Sequence, residues 1–193
     1  MSDLSHKEER YKEYDHAEKM RRGYHFTIDV NGVWYCHDPA MSVGVFRNER
    51  LAALFSGAGK GFMAGKGLSV DDCGDYWLKS PHAAYKVEVE DVPFVVEKCE
   101  VRGKGTAQKI DFTTNHGEVI ALERGVSLSY KDIPVLRGMA LYVEVRAGLQ
   151  ARLGRSVNDE ILNHYVYERE ESGQMIWYIQ SRNAEFVVMR SDG

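Results

Sequence analysis

The chain has 193 residues, with 25 Lys and Arg against 29 Asp and Glu, for a formal charge of −4. A pI near 6.0 argues against non-specific nucleic-acid binding, which needs a net basic face. Apolar residues make up 44%, which suits a soluble globular core, and no apolar run approaches the ~20 residues of a membrane helix. Three cysteines (Cys36, Cys73, Cys99) are odd in number and form no CxxC. That pattern, with no apolar signal core in MSDLSHKEER, predicts a reduced, cytoplasmic protein.

Residues 1–23 open the chain as a helical extension. Acidic and basic side chains alternate there at three- and four-residue spacings, as on a solvated helix. From Gly23 the period changes to two. Phe26, Ile28 and Val30 alternate with Thr27 and Asp29, which predicts a half-buried strand. Asn31-Gly32 predicts a tight turn with both residues at positive φ, and residues 33–37 return. Asp38-Pro39 ends that strand. Residues 47–56 read as a helix with Leu51, Leu54 and Phe55 on one face, followed by a glycine-rich loop over 56–67.

Strands are predicted at 75–79 and 84–90, and Glu90-Asp91-Val92-Pro93 breaks the pattern. Further strands follow at 94–101, 107–113, 118–122 and 139–145, with Asn115-His116-Gly117 as a turn. Ser156 is the predicted N-cap of a helix that turns Ile161, Leu162, Tyr165 and Val166 inward. Two strands at 175–180 and 184–190 close the chain. Residues 76–91 (YWLKSPHAAYKVEVED) align without a gap on 177–192 (WYIQSRNAEFVVMRSD). Tyr76 falls on Trp177, Ser80 on Ser181, Tyr85 on Phe186 and Val87 on Val188. The expected fold is α+β and mainly antiparallel, with two related strand–helix–hairpin halves at 24–91 and 92–193.

Several familiar chemistries fail on spacing. The loop GAGKGFMAGKG lacks the Gly-x4-Gly-Lys-Ser/Thr of a phosphate loop, and it follows a helix instead of a strand. The seven histidines and three cysteines show no metal-ligand spacing, and no cofactor is expected. Cys36 and Cys99 fall in strands and read as small apolar fillers. The arginines say more. Arg47 and Arg155 stand at predicted helix starts and Arg146 ends a strand. Arginine's planar fork pairs carboxylates and phosphates, and helix N-termini attract anions.

Several strings occur together in one order: Gly32-x-Trp34-Tyr35, Leu54-Phe55-Ser56, Tyr76-Trp77-Leu78-x-Ser80-Pro81 and Val89-Glu90-Asp91-x-Pro93-Phe94-Val95. Thr114-Asn115-x-Gly117-Glu118-Val119, Tyr142-x-x-Val145-Arg146-x-Gly148-Leu149-x-Ala151 and Arg155 complete the set. In these the chain resembles the bacterial family called domain of unknown function 1285, from about residue 26 to 190. The resemblance implies two β-rich halves, the C-terminal one superficially like a pleckstrin-homology fold. It also implies a ligand cleft between the halves, a role in signal transduction, and no established activity. The chain departs from the family at Ser80-Pro81-His82-Ala83-Ala84 and in a longer glycine-rich stretch over 57–74.

The function these features predict is non-enzymatic binding of a small anionic ligand between the halves, for sensing. Arg47, Arg146 and Arg155 would pair the anion, Glu90 and Asp91 would orient them, and Asn115 would add a hydrogen bond. The alternatives are a protein-interaction module and a hydrolase using His116 or Cys36.

Overall fold

The structure is a computed structural model that describes residues 25–38, 41–45, 67–79, 84–133 and 138–191. The expected N-terminal extension, the helix at 47–56 with Arg47, and the glycine-rich loop up to residue 66 lie outside them. The chain divides into two compact units, Met1–Pro93 and Phe94–Gly193.

The first unit holds one six-stranded sheet. Its strands are β1 (His25–Ile28), β2 (Trp34–Asp38), β3 (Met41–Val45), β4 (Gly67–Val70), β5 (Tyr76–Lys79) and β6 (Ala84–Val89). They lie in the order β3-β2-β1-β6-β5-β4, antiparallel except for the parallel β1–β6 pair. Phe26, Ile28, Trp34, Leu68, Leu78 and Val87 are buried, Phe26 and Ile28 as the alternation predicts.

The second unit holds a nine-stranded sheet and the one α-helix among the described residues. Its first strands are β7 (Phe94–Arg102), β8 (Lys109–Thr114) and β9 (Val119–Ala121). Then come β10 (Leu128–Ile133), β11 (Gly138–Arg146), β12 (Leu149–Leu153), helix α1 (Arg155–His164), β13 (Val166–Glu171), β14 (Gln174–Ser181) and β15 (Ala184–Arg190). The sheet order is β13-β14-β15-β10-β11-β12-β7-β8-β9. Phe94, Phe112, Leu141, Val143, Leu149 and Ile161 are fully or almost fully buried. Both sheets are mixed, and strands dominate the described residues. No described helix is long and apolar enough to cross a membrane.

Strands β10–β15 repeat the strand order of the first sheet, with the parallel β10–β15 pair standing where β1–β6 stands. The last hairpins also share a register. Trp77 opposes Lys86 and Leu78 opposes Tyr85; 101 residues later, Tyr178 opposes Val187 and Ile179 opposes Phe186. Strands β7–β9 have no counterpart in the first sheet and join β12 by the parallel pairing of Ala151 with Phe94.

Local expectations need three corrections. Asn31-Gly32 is not a two-residue turn with both residues left-handed: of the two, only Gly32 has positive φ, at 72°. That left-handed pair occurs instead at Ala147-Gly148 (43°, 79°), Ser172-Gly173 (52°, 79°) and Arg182-Asn183 (51°, 57°). Ser156 is not the N-cap; Gly154 is. Its N–H donates to the Val96 carbonyl at 2.9 Å, and a Cβ there would come within 2.7 Å of that oxygen, so packing fixes the helix start. Asn158 then docks the helix: its Oδ1 accepts from Leu141 N–H at 2.8 Å and its Nδ2 donates to the Met139 carbonyl at 3.0 Å. Thirdly, strands β3, β4, β10, β12 and β13 were not expected from periodicity. β13 (VYEREE) is an edge strand with most side chains in water, so no apolar alternation marks it. β12 is central and buried on nearly all positions, including Arg152, so it does not alternate either.

Candidate functional site

Three hairpin turns share one hydrogen-bond plan. Asp29 Oδ1 accepts from the N–H of Asn31 (2.8 Å) and Val33 (2.9 Å). Asp71 Oδ1 accepts from the N–H of Cys73 (2.9 Å) and Asp75 (3.0 Å). Thr114 Oγ1 accepts from the N–H of His116 (3.4 Å) and Glu118 (3.1 Å). Each turn closes with the first residue's N–H donating to the fifth residue's carbonyl and a left-handed glycine in fourth place. The signature Asp/Thr-x-x-Gly is legible in the sequence.

The third of these turns builds the candidate site. It places Asn115, His116 and Glu118 beside the start of β7, where Phe94 is fully buried. Asn115 pins that start: its N–H donates to the Val95 carbonyl at 2.7 Å and its Oδ1 accepts from Val95 N–H at 3.2 Å. The His116 ring meets Phe94 edge-on, centroids 5.9 Å apart. Arg146, at the end of β11, places its guanidinium 5.5 Å from the centre of the same Phe94 ring. A β-bulge between Glu144 and Arg146 precedes it, a device that re-aims side chains. Arg146 Nη1 donates to Glu118 Oε2, an ion pair whose side chains are 30% and 22% exposed.

Two nitrogens in this cluster are left over. Arg146 Nη2 and His116 Nε2 are both buried, and neither has a hydrogen-bond partner among the described residues. Burial lowers the His116 pKa to about 4, so its imidazole is neutral at pH 7.

Of the expected site residues, the structure brings Asn115 and Arg146 together, with His116. Arg155 opens helix α1 and is exposed. In the first unit, Glu90 accepts from Val30 N–H at 3.0 Å and acts as a turn brace. Asp91 is half-buried, and its negative charge helps raise the Tyr76 pKa after burial, the larger cause. Arg47 lies outside the described residues. As for a hydrolase, Nε2 of His116 bonds no hydroxyl or thiol among the described residues. Cys36 is half-buried in β2. Burial pushes the Cys99 thiol up to about 12, so it is not a ready nucleophile.

Sequence reasoning missed Phe94 and Glu118 as partners, because β7, the turn and β11 meet only in the folded sheet. It also missed Arg182. Arg182 donates to the carbonyls of Ile110 (2.9 Å) and Leu122 (3.4 Å) and pairs with Asp111. Its N–H bonds the Gln108 carbonyl and Asn183 N–H bonds the Thr106 carbonyl, so the β14–β15 turn grips the start of β8. Beside that turn lies an open cleft of about 600 Å³ lined by Arg124, Ser127, Asn183, Glu185, Val187 and Met189. Of its charged groups, Arg124 is exposed and Glu185 is exposed and already paired with Arg169, which makes it the weaker candidate.

A family model described as the C-terminal domain of a protein of unknown function, DUF1285, matches residues 93–188. A solved DUF1285 family protein from Silicibacter pomeroyi DSS-3 is similar at 24% identity and a TM-score of 0.64, covering 85% of this chain and 79% of that one. Another, from Shewanella baltica OS155, matches at 21% identity and a TM-score of 0.49, covering 72% of this chain and 90% of its own. The first likeness bears on the fold. No curated protein matches this chain.

Proposed function

The chain belongs to the DUF1285 family, and from that premise we propose that it binds a small anionic ligand without transforming it, in a sensing role. The site is the cluster of Phe94, Asn115, His116, Glu118 and Arg146 in the C-terminal unit. One observation carries this reading: Arg146 Nη2 and His116 Nε2 are buried, lack partners among the described residues, and belong to side chains packed on one aromatic ring. A buried polar group without a partner costs about 1–3 kcal/mol, more when charged, so such a pair calls for an explanation. A ligand that accepts from the guanidinium and bonds the imidazole supplies it. Asn115 positions the floor of the site through Val95. Of the wider expected set, Glu90 is engaged with Val30 and Arg155 faces solvent, so the proposal rests on Asn115 and Arg146.

We also infer that the two six-strand arrangements descend from one duplicated unit. The shared strand order and the shared hairpin register, 101 residues apart, support it.

A thermal-shift screen against carboxylates and phosphates tests the function. A ligand at 100 times its Kd stabilises by about 2.7 kcal/mol, visible as a rise of several degrees in Tm. The expected result is a shift lost in Arg146→Ala and kept in Arg155→Ala. No shift across the panel, or one that survives Arg146→Ala, overturns the proposal. A protein-interaction module is the second reading. It is favoured by Val187 and Met189, which are exposed by 43% and 57% on one face of β15.

A further inference from the structure

The charge balance and the half-used guanidinium narrow the ligand class. Glu118 reaches Arg146 through one oxygen onto Nη1, while Nη2 on the same planar group has no partner among the described residues. Guanidinium pairs carboxylates best through two parallel N–H donors. Glu118 therefore occupies half of a fork that a free carboxylate would fill. The Glu118 carboxylate takes no part in the turn that carries it. That turn is held by Thr114 Oγ1 accepting from His116 and Glu118 N–H, and by the backbone bonds of Thr114, Gly117 and Glu118. With its side chain 22% exposed, Glu118 can swing to water while the backbone stays in place.

The charged and titratable groups of the cluster are Arg146, Glu118 and His116, with Glu144 on the same strand as Arg146 held by Ser127 Oγ and Gly148 N–H. Arg146 and Glu118 cancel, and the cluster holds no second cation among the described residues. A dianion in the place of the Glu118 carboxylate would leave one negative charge without a cation to balance it. A monoanion that replaces the Glu118 carboxylate leaves the charge on Arg146 balanced and satisfies Nη2 as well. We infer that the site takes a monocarboxylate, seated two-pronged on Arg146 in exchange for the side chain of Glu118; this rests on the anion-binding reading above.

The test is an NMR titration of the full chain with acetate and, separately, inorganic phosphate, following the Arg146 and His116 side-chain signals in wild type and Glu118→Gln. The isosteric amide keeps the turn's backbone bonds, and the amide spectrum checks the fold. Acetate should shift both signals in wild type, phosphate should bind at least tenfold more weakly, and Glu118→Gln should bind acetate about tenfold more tightly. Tighter phosphate binding that depends on Arg146 overturns the carboxylate class and leaves the anion site standing. Unchanged acetate affinity in Glu118→Gln overturns the exchange. No response of either signal to either anion, in either protein, overturns both readings. Should Glu118→Gln misfold, the wild-type comparison of acetate with phosphate still decides the class.

Discussion

The two sheets share a six-strand plan and differ where the second is extended. In the first, the Asp29 and Asp71 turns each spend the second carboxylate oxygen on an aromatic donor six residues on: Tyr35 Oη at 3.0 Å and Trp77 Nε1 at 2.8 Å. In the added strands, Thr114 fills the same place with a single hydroxyl, and the residue six positions on is the buried Ile120, which has no donor. The second oxygen appears where there is something for it to bind. A similar contrast separates the two final hairpins. Arg182 clamps β8, whereas the residue aligned with it in the segment 76–91 is Pro81, a residue type with no N–H or side-chain donor. The extra strands of the second sheet thus carry their own fastening, and one of their turns holds the candidate site.

The largest effect should come from that fastening. Arg182→Ala removes the close ion pair of Asp111, leaving it only the Arg102 guanidinium at 4.0 Å, and takes one donor from the Ile110 carbonyl, in a site less than a quarter exposed. We expect a loss of ~3 kcal/mol in urea unfolding. A loss under ~1 kcal/mol would break the comparison, since β7–β9 would then be held by pairing alone.

Next in size is a pH effect specific to the third turn. His116 has a native pKa of about 4, below its usual 6.5 because of burial. The unfolded chain therefore takes up the proton first. The stability from keeping His116 neutral is complete above pH 6.5 and falls as the pH drops towards 4, by up to ~1.4 kcal/mol per unit. Unfolding curves at pH 7, 6 and 5 should show this slope in wild type and lose it in His116→Gln. An unchanged slope in the variant would remove His116 from the account.

The turns themselves should give smaller effects. Asp29→Ala and Asp71→Ala each remove three accepted hydrogen bonds, for ~1–2 kcal/mol, and Thr114→Val removes two weaker ones, for ~1 kcal/mol. Tyr35→Phe deletes one donor and should cost ~0.5–1 kcal/mol. If Asp29→Ala costs no more than Tyr35→Phe, the turn bonds contribute little and the shared plan is not what sets the hairpins.

Much of this was legible in the chain. Phe26, Ile28 and Val87 alternate and are buried; the aligned segments 76–91 and 177–192 form two hairpins in one register; residue type and position make Arg146 and Asn115 candidates only. Such features are local, or compare one segment with another, and side-chain period and turn chemistry act over a few residues. Other features depended on neighbours far along the chain. Whether β13 is a strand depends on β14 beside it, since its own side chains are solvated. The helix starts after Gly154 because Val96, 58 residues away, leaves no room for a Cβ. The site depends on three strand ends meeting at Phe94, which turned a turn histidine and a strand-end arginine into buried nitrogens without partners among the described residues. Local spacing can choose the groups able to bind an anion; only long-range packing decides which of them lose water together.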